Sequence, residues 1–432
     1  MTKNNEQSYK PSLFKASIIC LLSASFFVYE FFIQISPGVM TNELMRDLQI
    51  GAGGLGVLSA FYYYAYTPMQ LPAGLLFDRF GPRILLTFAS CVCALGALSF
   101  GLAHSVVEAA AGRFLMGIGS AFAFTGTLLL VSRWFPSHYF AILAGILQLL
   151  SSVGALIGTS LLAHAVSSFG WRSTILTIAS VGFVIMFFIG LIVRDGPKKH
   201  YQHHKIDTHN EWMRLKRVCR KPQSWNVAIF AFTSWAPILV IAGLWGIPFL
   251  MAKFHLSNTE AAVAVAMTWW GVALGSPFIG WFSERTKKRK TSLILCSTLS
   301  IISSFILIYV SSVPYWLIFP LFVIFGFSAG SQTLTFAIVK DNNRPDNVGS
   351  AMGFNNMMVV AGGAILQPFV GYLLHLFWDG ATSPNGVPIY SVGNYHMALF
   401  VVPLVSIIGL IFALFMIKET KCQPVYEMPA QH

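Results

Sequence analysis

Charge is scarce in this chain. Only 10% of its 432 residues are Asp, Glu, Lys or Arg, against roughly 25% in a soluble domain, so most of its surface faces something other than water. Acid is scarcer than base, with 16 Asp+Glu against 28 Lys+Arg. That excess does not describe a nucleic-acid binder, because the basic residues sit in short loops between apolar runs and not along one polar face. The six cysteines (Cys20, Cys91, Cys93, Cys219, Cys296, Cys422) are scattered and form no zinc, haem or disulfide spacing. His200, His203, His204 and His209 crowd the centre of the chain, but no Cys or carboxylate set completes a metal site there. The chain also lacks a Walker motif, a nucleophile elbow and a long polar domain, so neither ATP hydrolysis nor an enzyme activity has support. No cofactor is expected. The segment from Met1 to about Lys15 is polar, and the apolar run behind it is too long for a signal-peptide core, so no cleaved presequence is expected.

What the chain has is long apolar runs. They predict membrane spans at 15–40, 51–76, 84–103, 107–132, 139–165, 172–193, 224–251, 260–282, 291–310, 314–339, 348–377 and 395–417. A basic stretch over 194–223 separates six spans from six, giving a first bundle over 1–193, a linker over 194–223, and a second bundle with its tail over 224–432. With the N-terminus inside, every Lys and Arg except Arg46, Arg113, Arg172 and Lys253 falls on the inner side. The positive-inside rule therefore places both termini and the linker in the cytoplasm.

The two halves repeat each other. Gly74-Leu-Leu-Phe-Asp78-Arg79-Phe-Gly81-Pro82-Arg83 is a charged, Gly-rich turn between two apolar runs. A related turn, Gly280-Trp-Phe-Ser-Glu284-Arg285, follows about 206 residues later. Ala141–Gly145 through Gly154 parallels Gly349–Gly353 through Gly362, and small residues at such spacings let helices approach closely. A duplicated membrane protein of this kind binds its solute between the two bundles.

On these residues the sequence resembles the major facilitator superfamily over nearly its whole length. The Gly74–Arg83 turn is similar to that family's signature loop between helices two and three. Arg113-Phe-Leu-Met-Gly117-Ile-Gly119 is similar to its second signature, a buried Arg followed by small residues. The resemblance implies an all-α membrane protein of twelve transmembrane helices in two six-helix bundles related by pseudo-two-fold symmetry. Ser59-Ala-Phe61, Tyr66 and Gln70–Leu75 resemble the organic anion:cation symporters. Tyr29-Glu30-Phe31-Phe32 and Ser36–Met40 resemble bacterial phagosomal transporters of amino acids or nucleosides. A multi-pass protein of the bacterial inner membrane follows, whose partners are a small-molecule substrate and the lipid bilayer. A single chain holds both halves of the pathway, so a monomer suffices.

Glu30 lies midway through an apolar span, where a carboxylate costs several kcal/mol unless it is protonated, paired or wet. It is the first candidate for proton coupling, with a purely structural ion pair as the bland reading. The resemblance implies Arg113 as its partner, so that protonating Glu30 would free Arg113 for a substrate carboxylate. Sodium in place of the proton is equally compatible with the sequence. Two departures bear on the substrate. Phe31 stands where the organic anion symporters carry a substrate-binding Arg, and Ser120 stands where they often carry an acid. A solute with at most one carboxylate, such as an amino acid taken up with protons, is the preferred expectation. Organic anion:proton symport and drug:proton efflux are the alternatives.

The rest of the substrate site is expected from polar and aromatic residues on inward-facing helices: Tyr29, Gln34, Tyr63, Tyr66, Gln148, Trp235, Trp245, Trp269, Gln332, Asn355 and Asn356. For the amides, interhelical hydrogen bonding stands as an equal reading, and for the tryptophans, interfacial anchoring. Gly74, Asp78, Arg79, Arg83, Glu284 and Arg285 are assigned to gating, since the resemblance implies a charged latch between the halves at the cytoplasmic edge.

Overall fold

The computed structural model describes residues 13–136, 139–196, 208–344, 347–384 and 386–424; His200, His203 and His204 lie outside them. Among the described residues eleven helices are long and apolar enough to cross a membrane. Span one is Leu13–Val39, span three Ala73–Leu102, four Val106–Trp134, five Ile142–Phe169 and six Trp171–Ile192. In the second half, span seven is Pro222–Phe254, eight Asn258–Thr286, nine Arg289–Tyr309, ten Tyr315–Asn342, eleven Val348–Leu376 and twelve Val392–Met416. Span two, Ala52–Met69, completes the twelve and is the least apolar, because Tyr62, Tyr63, Tyr64 and Tyr66 fall within it. Each expected span is present with ends shifted by a few residues, except that span two stops at Met69 instead of 76 and span three begins at Ala73 instead of 84, because the charged stretch between them is helical.

Helix starts at the membrane edge carry their own caps. Ser105 with Glu108, Ser257 with Glu260 and Ser391 with Asn394 each form a reciprocal capping box, which satisfies first-turn N–H groups where a partner is hardest to find. The charged stretch expected as a turn from Gly74 to Arg83 is instead helical on both sides of one residue, Gly81, at φ 75° and ψ 157°. Only glycine takes that conformation readily. The helix restarting after it is capped by Asp195, whose carboxylate accepts the Arg83 N–H at 2.7 Å. In the second half Glu419 does the same for span nine, accepting the N–H groups of Arg289 at 3.0 Å and Lys290 at 2.8 Å. The acid that follows the last span of each half thus caps the third.

Packing inside each half depends on glycine at repeat-related crossings. A Cβ on Gly117 of span four would run into the Tyr62 carbonyl of span two, and one on Gly326 of span ten into the Thr268 carbonyl of span eight. A methyl there must push two helices apart, an overpacking cost of about 1–3 kcal/mol. Gly117→Ala and Gly326→Ala are each expected to lower the thermal unfolding midpoint in detergent, and an unchanged midpoint would mean the crossing yields.

Both described ends of the chain lie at one end of the molecule, the terminal end. At the opposite, far end the halves are in close contact. Asn258 Nδ2 donates to the Val39 carbonyl at 2.8 Å, and the Ala52 N–H donates to Tyr390 Oη at 2.9 Å. A Cβ on Gly38 would stand 2.8 Å from the Gly243 carbonyl oxygen, so spans one and seven touch backbone to backbone. At the terminal end a Cβ on Gly74, Gly145, Gly280 or Gly349 would meet open space. The molecule is closed at the far end; toward the terminal end spans two and eleven still meet at Gln70 and Asn356, while these four glycines face open space.

Candidate functional site

Glu30 sits in the middle of span one and is 2% exposed. Among the described residues its one hydrogen-bond partner is Tyr62, whose phenol donates to Oε1 at 2.5 Å. The direct Glu30–Arg113 pair implied by the resemblance is not formed. Arg113 is wholly buried and its guanidinium lies over the Tyr62 ring, 4.8 Å from the centroid. Its Nη1 donates to the Ile33 carbonyl at 2.6 Å, and Nη2 reaches the carbonyls of Gln34 and Ser59 at 3.5 Å. Tyr62 therefore separates the two charges, serving one with its hydroxyl and the other with its ring face, a cation–π contact. Arginine Nε has no acceptor. The phenol leaves Glu30 with a single donor, and removing it strands a buried carboxyl at a cost of about 1.5–3 kcal/mol. Tyr62→Phe, which keeps the ring beneath Arg113, is expected to slow solute uptake roughly tenfold with the fold intact; uptake at the wild-type rate would deny Tyr62 this role.

Around this group the halves meet through aromatic rings. Phe31 packs edge-on against Trp269 of span eight at 5.9 Å, and Trp269 lies 6.5 Å from Trp235 of span seven. Rings thus fill the place where the resembling symporters carry their second cation. The indole N–H of Trp269 is buried without an acceptor, a state that favours a ligand or water supplying one. Tyr66 stacks on Tyr62 at 5.7 Å, and the Tyr63 ring crosses to Gly363 of span eleven. Gln34, 6% exposed, faces the same region one turn from Glu30. Ser120, at the position expected to be acidic in those symporters, is sealed in helix packing against Cys93 at 3.3 Å.

Other expected site residues lie elsewhere. The Tyr29 hydroxyl points onto Gly182 of span six, inside the first half. Trp245 is fully buried at the far end, donating from Nε1 to the Gln367 carbonyl at 3.1 Å. Asn355 donates to Thr335 Oγ1 of span ten at 2.8 Å, within the second half. Gln148 reaches only Ser151 of its own helix, at 3.4 Å, and Gln332 is half-buried on span ten. Asn356 does join the halves, donating to Gln70 Oε1 at 2.8 Å. Asn355 and Asn356 thus make the interhelical hydrogen bonds of one of the two readings given for the amides.

Arg79, Arg83, Glu284 and Arg285 make their contacts within their own halves. Arg83 donates from Nε and Nη2 to the Gly190 carbonyl of span six, and Arg79 lies over the Phe80 ring. Asp78 is exposed on the last turn before Gly81. Glu284 pairs with Arg289 at 2.8 Å, Arg289 reaches Asp341 at 3.3 Å, and Arg285 lies over Trp281. Sequence reasoning missed Tyr62 as the residue that holds Glu30 and underlies Arg113, although a polar residue midway along an apolar run was the signal that singled out Glu30.

The Major Facilitator Superfamily model matches residues 22–246 and 227–426. The uncharacterized transporter YybO of Bacillus subtilis strain 168 is 22% identical over 97% of both chains. The probable galactarate/D-glucarate transporter GudP of Escherichia coli K12 is 24% identical over 85% of this chain and 88% of its own. The hexuronate transporter of Bacillus subtilis strain 168 is 22% identical over 77% and 81%. Among solved structures, a bacterial homolog of the human lysosomal transporter Spinster, inward-facing and unoccupied, superposes with a TM-score of 0.75 at 15% identity, covering 98% of this chain and 100% of that one. The nucleoside transporter NupG gives 0.72 at 12% identity, covering 93% and 100%.

Proposed function

The chain belongs to the major facilitator superfamily, and from that premise we propose that it imports a small solute with one carboxylate, such as an amino acid, together with protons. Glu30 carries the proton. The observation that carries this reading is the sealed Glu30 carboxyl, held by a phenol while the nearby Arg113 is engaged by backbone carbonyls. A proton on Glu30 removes a charge that the span otherwise holds at a cost of several kcal/mol. Losing that proton to one side and regaining it from the other would link the step to the gradient. The rings of Phe31, Trp235 and Trp269 suit an ammonium group, and the unpartnered Trp269 N–H suits a carboxylate oxygen. With the terminal end in the cytoplasm, where the Lys and Arg distribution puts it, the end where the four glycines face open space turns inward in a multi-pass protein of the bacterial inner membrane. A monomer then suffices for transport.

A second reading rests on the relatives. GudP and the hexuronate transporter are named for organic acids, and symport of such an acid with protons fits the same Glu30–Tyr62–Arg113 group if Arg113 turns to the solute. Uptake by proteoliposomes of a panel of amino acids, monocarboxylates and aldarates, under an inward proton gradient, separates the two. Amino-acid uptake supports the first reading. Aldarate uptake alone replaces it with the second.

A further inference from the structure

Gln367 is wholly buried on span eleven, and nothing in the site just described uses it. Its Oε1 accepts from Ser59 Oγ of span two at 2.7 Å, across the boundary between the halves. Its Nε2 donates to the Leu239 carbonyl of span seven at 2.8 Å. That carbonyl lies just before the π-helical turn Ile241–Trp245, where backbone bonding shifts register by one residue. The Gln367 carbonyl accepts from Trp245 Nε1. A Cβ on Gly56 would stand 2.7 Å from that same carbonyl oxygen, and one on Gly243 would stand 3.0 Å from Nε2. Two glycines and an irregular turn thus make room for this one amide.

We propose that Gln367 is the polar bolt of the far end, a gating residue that holds the two halves closed there through Ser59. The other far-end hydrogen bonds between the halves, Asn258 to the Val39 carbonyl and Ala52 N–H to Tyr390, each use a backbone group, whereas Ser59 and Gln367 meet side chain to side chain. A buried amide is different: it costs free energy unless every hydrogen-bonding group is met. In the closed molecule its donor and acceptor are both met, and Ser59 Oγ supplies the acceptor's partner from the other half. When the far end parts, water replaces Ser59, so the bond opens without stranding either group. Ser59 also offers its carbonyl to Arg113, which sets the bolt one residue from the Glu30–Tyr62–Arg113 group. The proposal needs alternating access and no particular solute or coupling ion.

The test reads the far end directly. Spin labels on Asn42→Cys and Ile389→Cys, in a background with the six native cysteines replaced, face each other across a crevice of about 340 Å³ between the halves. Double electron–electron resonance without solute should show mostly the short separation. Gln367→Leu, of similar size, should raise the ratio of parted to closed molecules about tenfold, the worth of a buried hydrogen bond lost from one state only. Ser59→Ala should raise it in the same direction. The double variant should match Gln367→Leu alone, since both remove the same bond between the halves. An unchanged distribution in a cooperatively melting Gln367→Leu overturns the proposal, as do strictly additive effects. Should Gln367→Leu fail to fold, an unchanged Ser59→Ala distribution overturns it.

Discussion

Glu30→Gln is expected to abolish gradient-driven accumulation of solute while leaving exchange intact. Glutamine keeps the size of the side chain and its acceptor for the Tyr62 phenol, but it carries no titratable proton. For one proton per solute, a gradient of one pH unit supplies about 1.4 kcal/mol, enough for roughly tenfold accumulation. A membrane potential adds about 2.3 kcal/mol per 100 mV when net charge crosses with the solute. Wild-type proteoliposomes should approach these ratios. The variant should stop at equal concentrations on both sides, yet still exchange labelled for unlabelled solute at a comparable rate. Accumulation by the variant at the wild-type ratio would move the proton site off Glu30. Loss of exchange as well would make Glu30 a binding or structural residue instead.

Gly349→Leu is expected to stop transport without weakening the fold. Gly74, Gly145, Gly280 and Gly349 lie toward the terminal end on spans three, five, eight and eleven, and a Cβ on any of them meets nothing in this conformation. Glycine in a helix costs up to about 1 kcal/mol relative to alanine, so four unexplained glycines at one end call for a role in another conformation. Rocking one bundle against the other closes the terminal end as the far end opens, and the small residues then let the helices meet. A leucine in that interface overpacks it by about 1–3 kcal/mol, reducing the terminally closed population by a factor of roughly five to a hundred. Transport should fall in proportion while the thermal midpoint holds or rises. The contrast with Gly117→Ala is the informative part, because there the crossing is already tight and stability is what suffers. A leucine at 349 that leaves the transport rate unchanged would mean the terminal end closes along some other seam.

The spans were legible because membrane insertion imposes a length and an apolarity that the sequence states outright. The repeat was legible too, since Gly74 and Gly280 recur in register. Which face of each helix meets which neighbour was not. Tyr62 and Tyr63 stand side by side in the chain, yet one holds Glu30 within the first half and the other crosses to Gly363. One step along a helix turns a side chain by about 100°, and a run of tyrosines does not say which step faces the carboxylate. Trp245 was misplaced for a related reason: the π-helical turn Ile241–Trp245 inserts a residue into the register that regular spacing assumes. The Glu30–Arg113 pair failed for an energetic one. A buried guanidinium has five donors to satisfy, and carbonyls of Ile33, Gln34 and Ser59 are nearer to it than the carboxylate.

The substrate is the part least legible in either description, because Phe31, Trp235 and Trp269 define a wall and not a shape. Proton coupling is more directly accessible. With a pH-sensitive dye sealed inside proteoliposomes and no gradient imposed, adding a transported solute outside to wild-type protein should acidify the lumen as solute enters. Solute entry with no change in internal pH would contradict proton symport and take the central role from Glu30.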